Sequence, residues 1–238
     1  MRKNIVWAVV WVIVVVGMVA CGGGGGGGAT TSTTTPIGTT VNLSVVKNFT
    51  EAKTQGSTMS FNLAGSSSAG VNLTGTFSLA ISAPTNTTTP TGMQTVNVLV
   101  QNVTLTDTST GEFASGTATY YCYQTGYLYK IIYDDGTIST PTFQTLLPSS
   151  AKVGDFGDDM VVSNSDGSTD TSTWRIDPGT NGDAKFVFIF TYRDNFNVVT
   201  ETEEDSYTIK PDGSISAVSV KYYDSSTGVT LTMSGNKN

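Results

Sequence analysis

Residues 70–82 read GVNLTGTFSLAIS and alternate apolar and polar side chains along their whole length. The odd positions hold Val71, Leu73, Phe77, Leu79 and Ile81, and the even positions hold Asn, Thr, Ser and Ala. Successive side chains of a β-strand point to opposite faces of the sheet, so a period of two collects the apolar groups on one face. The stretch therefore predicts a long strand with one buried and one exposed face.

The next apolar run, MQTVNVLVQNVTLTD at residues 93–107, changes phase in its middle. The valines before residue 101 share one face, whereas the apolar residues after residue 102 share the other. An extra residue in one strand shifts the alternation in this way and bends the strand. We expect a β-bulge near Gln101 and Asn102.

A third run, AKFVFIFTY at residues 184–192, is apolar on both faces, which is typical of a strand in the middle of a sheet. Alternation puts Phe186, Phe188, Phe190 and Tyr192 on one side of that strand. Asp-Gly pairs separate other strand-like segments and favour hairpin turns. They lie at residues 135–136, 166–167 and 212–213.

About a dozen such strands follow one another between residues 41 and 238, and helical periodicity is minor. The sequence predicts an all-β domain, an antiparallel meander that forms a curled sheet, an open barrel or a sandwich, because so many strands must manage their edges. The loop LLPSSAKVGDFGDD is a possible internal seam near residues 147–158.

The N-terminus has a different character. Arg2 and Lys3 precede a run of sixteen residues, 5–20, that is apolar except for Gly17. A membrane-spanning helix needs about 20 apolar residues, and the core of a signal peptide needs about 7–15. The run is therefore closer to a signal peptide, which we assign to residues 1–20.

Met18-Val19-Ala20-Cys21 resembles the lipobox of bacterial lipoprotein precursors, although Met18 stands where that family most often has leucine. The resemblance implies cleavage before Cys21, lipidation of its thiol and, in a Gram-negative cell, transport to the outer membrane. Two alternatives stay open, namely an uncleaved anchor helix and secretion after cleavage elsewhere. Residues 21–40 are rich in Gly, Ser and Thr, which predicts a lipidated cysteine followed by a disordered linker.

Charge and composition exclude several classes of function. Without Arg2 and Lys3, ten basic residues face nineteen acidic ones, a net charge of −9, which disfavours nucleic acid as a partner. The chain has no histidine, so the Ser-His-Asp and Cys-His arrangements are excluded. Paired carboxylates or a Ser-Lys pair would still suffice for catalysis, but the sequence has no recognisable catalytic motif, and we predict a protein without enzymatic activity. If Cys21 is lipidated, Cys122 has no disulfide partner, and we expect a buried, inert thiol there.

Two acidic stretches are rich in turn-forming residues, GDFGDD at 154–159 and NSDGSTD at 164–170. Neither has the spacing of a known calcium loop. We interpret their aspartates as turn residues and predict no metal site and no cofactor. In TETEEDSY, residues 200–207, we interpret the alternating Glu201, Glu203 and Asp205 as a solvated face that resists aggregation.

The strongest candidate for a ligand platform is a tyrosine cluster in residues 118–133. Tyr121 and Tyr123 share a face of one strand, and alternation groups Tyr127 and Tyr129 with Tyr133 on the next. Aromatic platforms stack on sugars or apolar ligands, but cross-strand aromatic pairs also stabilise ordinary sheets. Both interpretations stay open.

Two kinds of function fit these observations. The first is a non-enzymatic binding or structural module of the cell envelope, held to the membrane by acyl chains, that contacts an envelope protein or a glycan. The second is a carrier that holds an apolar ligand or lipid inside a curled sheet. A large apolar interior favours the carrier, and a filled core favours the module, which we prefer.

Replacing Cys21 by serine tests the membrane anchor. The Cys21→Ser chain cannot form the thioether to diacylglycerol, so we expect unprocessed precursor and complete loss of incorporated radiolabelled fatty acid, read by gel autoradiography. Cys122→Ser is the matched control and should label like the native chain. Fatty acid incorporation into Cys21→Ser would contradict the lipobox assignment.

Overall fold

The computed structural model describes residues 33–238, which contain fourteen strands and one short helix. The predicted signal peptide, Cys21 and the first part of the predicted linker lie outside the described residues. The elements are β1 (Thr40–Asn42), α1 (Ser44–Thr50), β2 (Thr58–Ser67), β3 (Asn72–Thr89), β4 (Gly92–Asp107), β5 (Phe113–Tyr123), β6 (Leu128–Tyr133), β7 (Ile138–Gln144), β8 (Ser150–Lys152), β9 (Phe156–Asn164), β10 (Thr169–Pro178), β11 (Ala184–Arg193), β12 (Val199–Ile209), β13 (Ile215–Asp224) and β14 (Val229–Lys237).

Twelve of the strands form a closed antiparallel barrel, which confirms the predicted all-β meander of about a dozen strands. Most neighbours in the wall are also neighbours in sequence. Two non-consecutive pairs complete the ring, β14 with β2 and β7 with β9, at registers such as Gly235↔Leu63 and Thr140↔Ser163. Closure gives each of the twelve strands a neighbour on both sides, except where the ends of β3 and β4 extend past β2 and β5.

Large side chains fill the interior of the barrel. The predicted face of β11 points inward, with Phe186, Phe188 and Phe190 at 0%, 1% and 4% exposure. Phe186 and Phe188 meet edge to face, with ring centroids 4.7 Å apart, and Trp174 stacks on Phe186 at 6.0 Å. The five apolar residues of the 70–82 stretch are also buried, as predicted. The core is therefore one cluster to which every wall strand except β7 contributes.

The chain between β1 and β2 covers one end of the barrel, which we call the helix end. Val46 and Phe49 of α1 are buried in the core cluster. Glu51 follows the helix with 1% of its side chain exposed, and it forms ion pairs with Lys47 and Lys53. Four connections between wall strands reach the same end, at residues 90–91, 124–127, 179–183 and 210–214.

Six short turns form the opposite end of the barrel, the turn end. Five of them carry an aspartate that accepts the backbone N–H two residues later, which is the expected chemistry of a tight turn. These aspartates are Asp107, Asp135, Asp166, Asp194 and Asp224. The prediction of a turn residue is correct for Asp166.

The predicted seam near residues 147–158 lies between β7 and β9, at the helix end. Its short strand β8 pairs with β1, and Leu147 and Val153 are buried in the core cluster. The strands that flank it are neighbours in the same barrel wall. Residues 33–40, the end of the predicted linker, run along this end, where Thr35 donates its backbone N–H to the carbonyl of Gly179 at 3.0 Å.

The bulge predicted near Gln101 and Asn102 is not there. β4 pairs with β5 without interruption from Val96↔Tyr123 to Thr106↔Phe113, and the register shift lies across from it, on β3 between Ser82 and Thr85. The prediction failed because Val96 and Val98 are buried on the outer face, opposite Tyr123 and Tyr121. The inner face continues without a change of phase through Gln101, whose side-chain oxygen accepts the Tyr120 hydroxyl at 3.1 Å.

Two turn glycines form a matched pair that tests the closure of the helix end. Gly126 (φ +98°) and Gly136 (φ +89°) share a left-handed backbone. A Cβ on Gly126 would lie 2.9 Å from the Glu51 side chain, whereas no atom of the described residues lies within 4 Å of one on Gly136. We expect Gly126→Ala to lower the free energy of unfolding by about 1–3 kcal/mol more than Gly136→Ala. Urea titration measures both, and equal losses would contradict the packing of Glu51 under this turn.

Candidate functional site

A projecting hairpin creates the candidate site on the outside of the barrel, at the helix end. β2 stops opposite Ala80 and β5 stops opposite Val96, so residues 85–95 of β3 and β4 pair only with each other beyond that point. The hairpin contacts β6, where the Tyr129 hydroxyl donates to the carbonyl of Thr88 at 3.1 Å. A groove opens between the hairpin and the turn after β5.

We call this feature the tyrosine groove. It has a volume of about 530 Å³, and six residues line it: Thr91, Gln94, Thr95, Tyr123, Gln124 and Thr125. Hydrogen bonds within the hairpin fix part of this lining. The side-chain amide of Gln94 donates to the Thr91 hydroxyl at 2.7 Å, and the Thr95 hydroxyl donates to the amide oxygen of Asn86 at 2.8 Å.

Three of the four predicted platform residues lie together beside the groove. The rings of Tyr123 and Tyr129 have centroids 5.5 Å apart, and the Lys130 ammonium lies 5.2 Å from the ring of Tyr121 and 5.3 Å from that of Tyr129. These distances allow cation–π attraction. Tyr127 lies in the turn after β5 with 44% of its surface exposed.

The tyrosines also pack on the sheet, as the alternative interpretation requires. Tyr123 pairs across the strands with Val96, and Tyr121 pairs with Val98. Both valines are buried on this outer face, at 0% and 8% exposure. Directly opposed residues on one face contact each other, so each ring covers a valine with one side. Tyr123 is only half-buried, because its groove side stays accessible.

Tyr133 does not share a face with Tyr127 and Tyr129, so that part of the sequence interpretation is wrong. Tyr121 opposes Lys130 and Cys122 opposes Leu128, which makes Tyr129 the extra residue of a β-bulge. The bulge reverses the alternation after it. Tyr133 is therefore buried in the interior, where its hydroxyl accepts a hydrogen bond from Ser139 at 3.3 Å.

The acidic stretch of β12 lies inside the barrel rather than in solvent, which corrects the prediction of a solvated face. Glu203 and Asp205 are only 1% and 2% exposed, whereas Glu201 is half-buried. A signal was present in the sequence, because Tyr207 and Ile209 continue the same alternation and carry it into the core. The acidic character of the stretch outweighed that pattern.

Tyrosine hydroxyls are the partners of the two buried carboxyl groups. Tyr192 donates to Oε2 of Glu203 at 3.2 Å, and Tyr207 donates to Oδ2 of Asp205 at 3.1 Å. Burial raises the pKa of both carboxyl groups, and the neighbouring charge of Asp205 raises the pKa of Glu203 further. The pair thus favours protonated forms at pH values where ordinary carboxyl groups are ionised.

Asp159 and Asp170, which we predicted to be turn residues, lie in strands β9 and β10. Burial raises the pKa of each to about 6, although a hydrogen bond from Ser172 to Asp159 at 2.6 Å and one from Asn164 to Asp170 at 2.9 Å oppose the shift. A cavity of about 20 Å³ lies beside Asp170, which is room for about one water molecule.

Cys122 is a free, buried thiol, as predicted, and burial raises its pKa to about 12. Within residues 33–238, no group of three or more His, Cys, Asp or Glu side chains is placed to hold a metal ion. No helix in that same range combines the length and the apolarity needed to cross a bilayer.

No family model matches the chain, and no curated protein matches it. A solved structure from Bacteroides fragilis NCTC 9343, described as a "putative exported protein with YmcC-like fold", is similar to it at 10% sequence identity and a TM-score of 0.32. The match covers 78% of this chain and 97% of that one. A likeness this distant assigns no function.

The buried carboxyl groups predict that the protein is more stable in mild acid. Their raised pKa values mean that the folded state binds protons more tightly than the unfolded state, so stability is lost as the pH rises through about 6–7. We expect the free energy of unfolding in urea to fall by about 2 kcal/mol or more between pH 5 and pH 8.

A pair of adjacent residues provides the control for this pH dependence. Glu203→Gln removes a buried ionisable group and should flatten the profile, whereas Glu204→Gln changes a partly exposed carboxylate that pairs with Arg175 at 3.3 Å and should leave the slope unchanged. A profile that rises toward pH 8, or equal slopes in the two variants, would contradict the burial of Glu203.

Proposed function

We propose that the protein is a lipid-anchored, non-enzymatic binding module of the cell envelope, and that the tyrosine groove is its ligand site. The observation that carries this proposal is the contrast between the two sides of the barrel wall. Side chains fill the interior, whereas the groove is open, is lined by hydrogen-bonding groups and contains a half-buried aromatic ring. Ligand sites are concave and combine aromatic surface with a few convergent polar groups.

The filled core favours the module over the carrier. An apolar cargo needs an interior space comparable to its own volume, and small-ligand pockets occupy about 300–1,000 Å³. The space between β6, β9, β10 and β11 is a cavity of only about 20 Å³. Aromatic rings such as Phe186, Phe188 and Tyr120 occupy the interior instead.

The position of the acidic residues favours a binding role over catalysis. Glu203 and Asp205 have the raised pKa values that acid–base catalysts need, but a substrate outside the barrel cannot contact side chains with 1% and 2% exposure. Their tyrosine partners are buried as well. The pair is therefore a structural element of the core.

The proposed anchor orients the barrel relative to the membrane. At the helix end the carbonyl of Thr33 accepts the backbone N–H of Asn181 at 2.9 Å, and the twelve residues from Cys21 to Ser32 can span at most about 40 Å when fully extended. The helix end thus stays within about 40 Å of the lipid, in the outer membrane if the cell is Gram-negative. Anionic headgroups repel the turn end, which carries Asp107, Glu112, Asp134, Asp135, Asp166, Asp194 and Asp224.

Retention on envelope material tests the proposed function. The acylated full chain, held in nanodiscs, is mixed with purified cell-wall sacculi or with phospholipid vesicles, and the bound fraction is measured after sedimentation. We expect retention on sacculi, at least about tenfold weaker after Tyr123→Ala. Tyr223→Ala, which removes a 41% exposed tyrosine of β13, is the matched control and should bind like the native chain.

Retention that is equal in both variants would reject the groove as the site. Uptake of a fluorescent fatty acid from the vesicles, without retention on sacculi, would favour the carrier instead.

A further inference from the structure

We propose that the tyrosine groove binds a neutral carbohydrate, with one face of a sugar ring stacked on Tyr123. This inference rests on the proposed function and adds the chemical class of the ligand. Three properties of the groove support it: a ring that is held on one side and free on the other, a lining rich in paired donors and acceptors, and the absence of ionised groups from that lining.

The first property is the position of the Tyr123 ring. Val96 packs beneath Tyr123, and Tyr129 contacts it with ring centroids 5.5 Å apart. These neighbours restrict the ring before any ligand arrives, and Tyr123 also lines the groove. The face of an aromatic ring is electron-rich, and the C–H groups on the face of a pyranose carry partial positive charge. Stacking therefore needs little rearrangement of the protein.

The second property is the hydrogen-bonding capacity around that ring. Gln94 and Gln124 each offer an amide donor and an amide acceptor, and three threonines offer hydroxyl groups. The Thr95 hydroxyl already donates to Asn86, so it offers a ligand its lone pairs only. Sugar hydroxyls have the same dual character, so each can donate to one side chain and accept from another. Gln94 is already oriented by its bond to Thr91, which leaves the amide oxygen of Gln94 to accept from a ligand.

The third property is charge. None of the six described residues that line the groove is an Asp, Glu, Lys or Arg. The nearby cation, Lys130, has its ammonium over the rings of Tyr121 and Tyr129 rather than in the lining. A site for phosphate, sulfate or a carboxylated sugar would supply a cation to pair with the anion. The strongly acidic protein around the groove also repels such ligands, so the geometry favours an uncharged sugar.

The size and shape of the groove fit a segment of a polymer. Its volume of about 530 Å³ lies in the range of about 300–1,000 Å³ that is usual for small-molecule sites. The groove runs between the hairpin and the turn after β5 and is open along its outer side, so a chain can continue beyond it. A short stretch of an oligosaccharide is therefore a better match than an isolated monosaccharide.

Isothermal titration of the acylated full chain in nanodiscs with defined sugars tests this inference. The probes are maltohexaose, cellohexaose and N-acetylchitohexaose as neutral oligosaccharides, and hexagalacturonate as the anionic one, each at concentrations up to about 10 mM. We expect saturable binding of at least one neutral oligosaccharide that exceeds the binding of hexagalacturonate. Binding of none of the neutral probes, or tighter binding of hexagalacturonate, would overturn the inference.

Variants of one side chain separate stacking from a general effect on folding. Tyr123→Phe keeps the ring and should change the dissociation constant by less than about threefold, whereas Tyr123→Ala should raise it at least about tenfold. Gln94→Ala should raise it about fivefold, because hydroxyl partners are lost. Tyr223→Ala serves again as the control, and unchanged circular dichroism spectra establish that each variant is folded.

Equal affinity in Tyr123→Ala and the native chain would also overturn the inference. Retention on sacculi that depends on Tyr123 but is not inhibited by any neutral oligosaccharide would overturn the carbohydrate assignment while leaving the proposed function intact. If the native chain neither is retained on sacculi nor binds a neutral oligosaccharide, the proposed function is rejected together with the inference.

Discussion

Closure of the barrel around a filled interior is the constraint on which the rest of the structure depends. A twelve-stranded wall encloses more space than aliphatic side chains alone fill easily, and this barrel uses aromatic rings such as Phe186, Phe188 and Tyr120 for the purpose. Residues 41–52 complete the core at the helix end. The only cysteine in residues 33–238 is buried and free, so strand pairing and this packing hold the described part of the chain together.

The sequence was sufficient where one face of a strand is purely apolar. The stretch at residues 70–82 and the run at residues 184–192 both have the predicted inward faces, because alternation and burial agree there. Predictions from the sequence were wrong where a polar side chain points inward. Glu203 and Asp205 were assigned to the solvent, because a side chain's own polarity does not reveal a buried tyrosine partner. In β4, the outer-face valines Val96 and Val98 together with the inward Gln101 were mistaken for a change of phase.

Other features depend on contacts between distant parts of the chain. The pairing of β14 with β2 joins residues far apart in sequence, and no local pattern specifies it. The bulge at Tyr129 is visible only in the register of β5 against β6, and it removed Tyr133 from the predicted cluster. The groove itself arises because the β3–β4 hairpin extends past both neighbouring strands. The sequence thus grouped the tyrosines of β5 and β6, but not Gln94, Thr91 or Thr95 opposite them.

The central claim is that this protein binds its ligand on the outside of a filled barrel, in the tyrosine groove. Hydrogen–deuterium exchange of the full chain in nanodiscs, with and without cell-wall sacculi, tests it most directly because it reports on every segment at once. The predicted result is slower exchange confined to residues 89–95 and 123–127. Slower exchange in the wall strands β11–β13 or at the turn end, with no change in residues 89–95 and 123–127, would contradict the claim.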